Sequence, residues 1–91
     1  MEDTPKTLAD LRLKIAAIDG QILSLVKERL DFCREMTPLK LTHQVPFQDL
    51  DQEQTVLQRS ATWAKTQGED SERAQGLTRF LMDWGLFVQE K

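Results

Sequence analysis

The stretch from Leu8 to Met36, LADLRLKIAAIDGQILSLVKERLDFCREM, decides the fold. In it Leu8, Leu11, Ile15, Ile18, Ile22, Leu25, Arg29, Phe32 and Met36 recur at alternating intervals of three and four residues. That spacing puts all of them on one stripe of a single long helix, the stripe that a partner helix covers. One member of the stripe is an arginine. A guanidinium in an apolar seam is costly unless an anion pairs with it, and its planar fork suits a carboxylate. On spacing alone the plainer reading is a polar seam residue that sets register or oligomeric state, or one that turns its head to solvent.

Outward from this stretch, the first helix is expected from about Leu8 to about Leu41, with Thr4 or Thr7 at its start and Asp10 in its first turn favouring the positive end of the dipole. Such a helix is a rod of roughly 50 Å, and the rest of a 91-residue chain is too short to cover it. Dimerisation through this helix follows. Gly20 is expected on the exposed side, and Pro38 predicts a kink or a frayed end because it removes one backbone hydrogen bond. Thr42 to Phe47, with Val45-Pro46, reads as a break. Asp49 then offers an N-cap, with Gln52 three residues later in a capping-box arrangement. Leu50, Leu57, Ala61 and Ala64 mark the buried face of a second helix through about Lys65, which Gly68 is placed to end. Asp70 or Ser71 caps a third helix with an apolar stripe of Leu77, Phe80, Leu81, Trp84 and Val88. No stretch alternates like a strand. The expected class is all-α: one long helix followed by two shorter ones, in one domain over residues 1–91.

Composition narrows the function classes. Fifteen acidic against twelve basic residues give a net charge of −3, and no run of Lys or Arg forms a stripe, so nucleic acid and acidic lipid are disfavoured as partners. Met1 to Thr7 is polar and no apolar run approaches the ~20 residues that span a bilayer, so a cytoplasmic location without membrane attachment is expected. Cys33 is the only cysteine and His43 the only histidine, which leaves no intrachain disulfide and no cysteine or histidine metal cluster. A Cys33–His43 catalytic pair is formally open, although Cys33 beside Phe32 reads more simply as a small packed side chain.

Arg12 follows seam residue Leu11 and lies seventeen residues before Arg29, about 25 Å along the rod. One small ligand cannot touch both in the same helix, whereas two antiparallel first helices in a dimer bring Arg12 of one chain towards Arg29 of the other. Lys40, eleven residues beyond Arg29, holds nearly the same angular position and serves the same cavity from its far end. Asp49, Gln52 and Glu53 crowd the first turn of the second helix, and Gly85 and Gln89 lie one turn apart on the third. Taken singly, each has a bland reading as a solvated or capping residue.

Together these residues resemble the all-helical chorismate mutases, from Leu8 to Gln89 without a gap. The resemblance rests on Leu8-Ala-Asp-Leu-Arg12, Ile18-Asp19, Lys27-Glu-Arg29, Lys40, Pro46-x-x-Asp49-x-x-x-Glu53 and Gln89. It implies an intertwined homodimer with two active sites, each taking Arg12 from the partner chain, and a Claisen rearrangement of chorismate to prephenate without metal or cofactor. It also implies roles: Arg12 and Arg29 on the two carboxylates, Lys40 and Gln89 on the ether oxygen, Glu53 and the backbone near Asp49 on the ring hydroxyl.

Three positions depart from the pattern. Gln52 stands where many members carry arginine, Gly85 where a hydroxyl residue contacts a carboxylate, and Pro38 within helix that is usually unbroken. Gly85 also has a packing reading, since it gives room to bulky neighbours such as Trp84. Leu30-Asp31-Phe32-Cys33 is similar to the corresponding stretch in mutases of 4-amino-4-deoxychorismate. The Trp-containing third helix and Leu8-Ala-Asp-Leu-Arg12 resemble isochorismate-pyruvate lyases. A catalytically silent dimerisation or regulatory module is the non-enzymatic alternative, and it gives no reason for two guanidiniums and a lysine to converge.

Overall fold

The computed structural model describes residues 7–91 and contains three helices, α1 (Leu8–Thr42), α2 (Leu50–Gln67) and α3 (Ser71–Gln89), with no strand among the described residues. The all-α expectation holds. Thr7 takes the capping role at α1, its Oγ1 accepting from the Asp10 N–H at 3.1 Å; the alternative, Thr4, lies outside the described residues. Asp49 caps α2 by accepting from the Gln52 N–H at 3.0 Å, and Asp70 caps α3 by accepting from the Arg73 N–H at 2.9 Å. Each short oxygen-bearing side chain satisfies an N–H that the first helical turn leaves unpaired.

The helix ends are as local in origin as the starts. Of the two outcomes expected at Pro38, the frayed end does not occur: Pro38 lies inside α1, which continues to Thr42. A missing N–H this close to the end costs one bond, and the turn that follows is closed by others. Gln44 adopts a left-handed φ of 55°, its N–H donates to Leu41 O at 3.3 Å, and the Val45 N–H returns to Lys40 O at 2.8 Å. This paired return is a Schellman closure. Gly68, at φ 70°, ends α2 two residues beyond the expected Lys65, with the Glu69 N–H donating to Ala64 O at 2.8 Å.

The short connection through Gly68 turns α3 back along α2, and α3 packs against both α2 and α1, while α1 and α2 do not pack on each other. α3 therefore buries two flanks, and a groove opens between the other two helices. This arrangement sets which faces are buried and corrects the expected buried face of α2 at Leu50. On α1 the side chains under α3 are Val26, Leu30 and Cys33, each one residue or about 100° round the helix from seam residues Leu25, Arg29 and Phe32. Phe32 is 66% exposed and the seam from Leu8 to Leu25 stays open along its length. On α3, Leu81 and Val88 point inward as expected, but Leu77 and Phe80 face out and Trp84 meets Phe80 edge-on at 5.9 Å. The buried flank instead carries Gly85, Val88 and Gln89. On α2, Leu57, Ala61 and Ala64 pack as expected, whereas Leu50, in the first turn, is 70% exposed.

The molecule measures 55 × 26 × 21 Å, its length that of α1. Its apolar buried core is thin: Leu30, Cys33, Ala64 and Val88 among the described residues, and no large side chain is fully buried. No helix among the described residues is long and apolar enough to cross a membrane.

At Gly85 the two helices α1 and α3 approach closely. A Cβ built there would sit 2.9 Å from Cys33 Sγ and 3.4 Å from Arg29 Nη1. The packing reading of Gly85 thus has a concrete neighbour, Cys33 rather than Trp84. Gly85→Ala gains helix propensity of about 1 kcal/mol but forces the thiol aside. With Cys33→Ala the obstruction is gone. Urea unfolding of the two single variants and the double variant, at one protein concentration, should show favourable coupling of roughly 1 kcal/mol or more between the substitutions. Additive effects would show that the contact is relieved without cost.

Candidate active site

Because α1 and α2 are held apart, the groove between them is floored by α3 and forms a cavity of about 580 Å³, within the range of small-molecule sites. Seven of the eight residues expected at the site line it: Arg29 and Lys40 from α1, Asp49, Gln52 and Glu53 from the start of α2, and Gly85 and Gln89 from α3. They come from positions up to sixty residues apart in the chain. The eighth, Arg12, does not reach the cavity of its own chain. It lies exposed on α1, seventeen residues from Arg29 and so about 25 Å along the helix.

Each polar side chain is held by local structure. Arg29 is half-buried and its Nη1 donates to Leu81 O at 2.9 Å, which fixes the guanidinium against α3 and leaves its other N–H groups for an anion. Lys40, in the last turn of α1, donates from Nζ to Phe47 O at 2.6 Å. The backbone closure at Gln44 and Val45 folds the 43–49 segment back so that this carbonyl is within reach. The ammonium is thereby anchored at the cavity mouth beyond Pro38, with two further protons to donate. Glu53 accepts from Gln48 Nε2 at 3.2 Å, and Asp49 spends one carboxylate oxygen on the α2 cap.

Gln89 is the buried polar residue of the site. It is 7% exposed, and its Oε1 is buried with no hydrogen-bond partner among the described residues. An unpaired buried amide costs about 1–3 kcal/mol. A bound molecule that pairs with the amide recovers that cost, and half a turn of the amide presents the NH2 in place of the oxygen.

Other lining residues were not singled out in the sequence, Val56, Arg59, Ser60, Thr78 and Met82 among them, and Cys33 was read there as a small packed side chain. Val56, Arg59 and Ser60 continue down α2 the face that Gln52 and Glu53 begin, so extending that helical row by two turns would have found them. Cys33 and His43 form no pair. The thiol is buried under Gly85, while His43 is exposed at the C-cap of α1, ten residues on. In the Leu30–Cys33 stretch only Cys33 meets the cavity. Asp31 sits at the surface, where a hydrogen bond from Lys27 at 2.6 Å, supported by Arg34 at 3.0 Å, holds its carboxyl below the usual value.

Comparison with known proteins bears on this arrangement directly. A family model described as chorismate mutase type II matches residues 11–90. The bifunctional chorismate mutase/prephenate dehydratases of Escherichia coli strain K12 and of Shigella flexneri are each 30% identical to this chain over 83 residues. The aligned part is 91% of this chain and 22% of those proteins, so the chain spans under a quarter of their length. The match runs from the seam of α1, through the capped start of α2, to the last turn of α3 where Gln89 lies, and on this evidence the chain belongs to the chorismate mutase type II family.

Proposed function

We propose that the chain is a chorismate mutase, rearranging chorismate to prephenate in a cavity completed by a second copy of itself. The observation that carries this reading is the meeting of Arg29, Lys40, Glu53 and Gln89, from three separate helices, on one small cavity. The reaction is a concerted shift within one molecule, and the protein's task is to hold the dianion with its side chain folded over the ring. Arg29 grips one carboxylate. Lys40 and the Gln89 amide lie towards the other end, where breaking of the carbon–oxygen bond leaves negative charge on the ether oxygen. Hydrogen bonds from them strengthen as that charge grows, which lowers the barrier more than it lowers the ground state. Glu53 and the backbone at Asp49 receive the ring hydroxyl.

The second copy follows from what α1 leaves uncovered. Leu11, Ile15, Ile18, Ile22 and Leu25 are between 47% and 62% exposed, and burying each such side chain is worth about 1.5–3 kcal/mol. An antiparallel copy of α1 across this seam sets Arg12 of the partner subunit opposite Arg29, with the two-fold axis crossing near Gly20 and Gln21, midway between them. The site then has a cation for each carboxylate. Sedimentation at micromolar protein should give twice the chain mass. A folded monomer at that concentration rules out the shared site.

Incubation with chorismate, isochorismate and 4-amino-4-deoxychorismate in turn, with products separated by chromatography, tests the activity itself. Prephenate from chorismate is the expected outcome. Pyruvate from isochorismate, or turnover of the amino compound alone, assigns the site to the corresponding relative on the same fold.

Arg29→Ala should lower kcat/KM for chorismate by at least about a hundredfold, since a charge-assisted pair to the substrate is lost. The contact to Leu81 O is a single hydrogen bond, so its loss should change stability by only about 1 kcal/mol. A large fall in melting temperature with full activity in the surviving folded fraction would make Arg29 a structural residue.

Lys40→Ala and Gln52→Arg should separate in the kinetics. The first should cut kcat by roughly 10²–10³, the scale for losing a donor to developing negative charge, and raise KM less. The second adds a cation beside a dianion in ground and transition states alike, so KM should fall with little change in kcat, and the gain should fade at high salt. Impaired chorismate turnover in Gln52→Arg would show that the neutral glutamine is suited to a different ring substituent.

A further inference from the structure

The cavity has a third cation besides Arg29 and Lys40. Arg59 lines it from α2, two turns beyond Gln52 on the same helical face, where Gln52 itself carries no charge. Its place along the cavity follows from the packing. Arg29 bonds Leu81 and Cys33 abuts Gly85, so α1 and α3 run in the same direction, with Lys40 and Gln89 towards one end and Arg29 towards the other. α2 runs antiparallel to α3, starting at the Lys40 end. Ten residues on from Asp49, about 15 Å along the axis, Arg59 has reached the level of Thr78, at the Arg29 end.

The state of the three cations differs. Arg29 and Lys40 each give a hydrogen bond to a backbone carbonyl. Arg59 makes no hydrogen bond or ion pair with any other described residue, and Asp49 and Glu53, the acids that line the cavity, belong to its opposite end. Arg59 is an exposed guanidinium without a partner among the described residues, lining the cavity that Arg29 also lines, and so is open to an anion held there. With Arg29 it gives a dicarboxylate two forks at one end.

We propose that Arg59 is a substrate-binding residue, taking with Arg29 the same carboxylate of the dianion and supplying from two turns down α2 the positive charge that Gln52 does not. This rests on the mutase reading, and it assigns a specific role to a residue that reading does not require. Because the contact is to a group whose charge does not change during the rearrangement, it stabilises ground and transition states together. It belongs in KM, not in kcat.

The test uses the full chain with Arg59→Ala and Arg59→Lys. Chorismate kinetics are measured at low and high salt, and prephenate affinity by equilibrium titration, with circular dichroism to confirm the fold. Arg59→Ala should raise KM and the prephenate Kd about tenfold at low salt, with kcat within twofold, and the difference should shrink at high salt. Arg59→Lys should recover part of the loss, because charge returns without the fork. A purely solvent-facing arginine predicts KM and Kd unchanged in both variants, and that result overturns the proposal while leaving the mutase reading intact. If the wild-type chain makes no prephenate but binds it, the mutase reading fails and the tenfold change in Kd alone decides the role of Arg59. Absence of both turnover and prephenate binding in the wild type overturns both.

Discussion

The contact on which the rest of the molecule depends is the close approach of α3 to α1 at Gly85 and Cys33. The missing side chain at Gly85 lets α3 settle against the Cys33 thiol, and this closeness brings Leu81 O within 2.9 Å of the Arg29 guanidinium. With α3 fixed on α1, and α2 tied to α3 by the short turn at Gly68, the relative placement of α1 and α2 is determined although they do not pack on each other. The cavity is the space that this indirect linkage leaves. A side chain at position 85 and a thiol at position 33 compete for one volume, so the glycine at 85 is a packing feature that also bears on where Arg29 is held.

The chain economises on core to build this space. Its few fully packed apolar residues lie along one line where α3 meets its neighbours, while most large apolar side chains of α1 face outward. For a small domain the surface-to-volume ratio already makes a single core marginal. The longest helix is left half bare, the apolar surface on which the proposed second copy rests. Arg12 lies on the same exposed surface, away from its own chain's cavity, so in the proposed dimer association and completion of the site are one event.

The electrostatic layout follows the same logic. Positive groups lie along the whole cavity, while the acids Asp49 and Glu53 cluster at the α2 N-terminus, where the helix dipole stabilises them. Under the proposed function, a dianion with a hydroxylated ring would meet cations for its carboxylates and an acceptor for its hydroxyl. The Gln89 amide, buried and unpaired among the described residues, is the most costly group in the empty site and gains most from a bound polar molecule.

What the sequence determined by itself was local. Helix starts at Thr7, Asp49 and Asp70, the stop at Gly68 and the all-α class are written in capping residues and in a period of three and four, because each depends on neighbours within a turn of chain. Residues expected at the site were also legible, through their spacing and the family pattern they complete. Only the tertiary structure decided which flank of each helix is inside. The seam through Arg29 and Phe32, expected to meet a partner helix, lies one residue round from the face that α3 covers, and Leu77, Phe80 and Trp84 face outward. Periodicity marks an apolar stripe without saying whether it meets the same chain or another one, and α1 carries one stripe under α3 and a second that is exposed. Arg59 and Cys33 entered the cavity for the same reason. Their neighbours lie dozens of residues away, brought together by α3 resting on two helices at once.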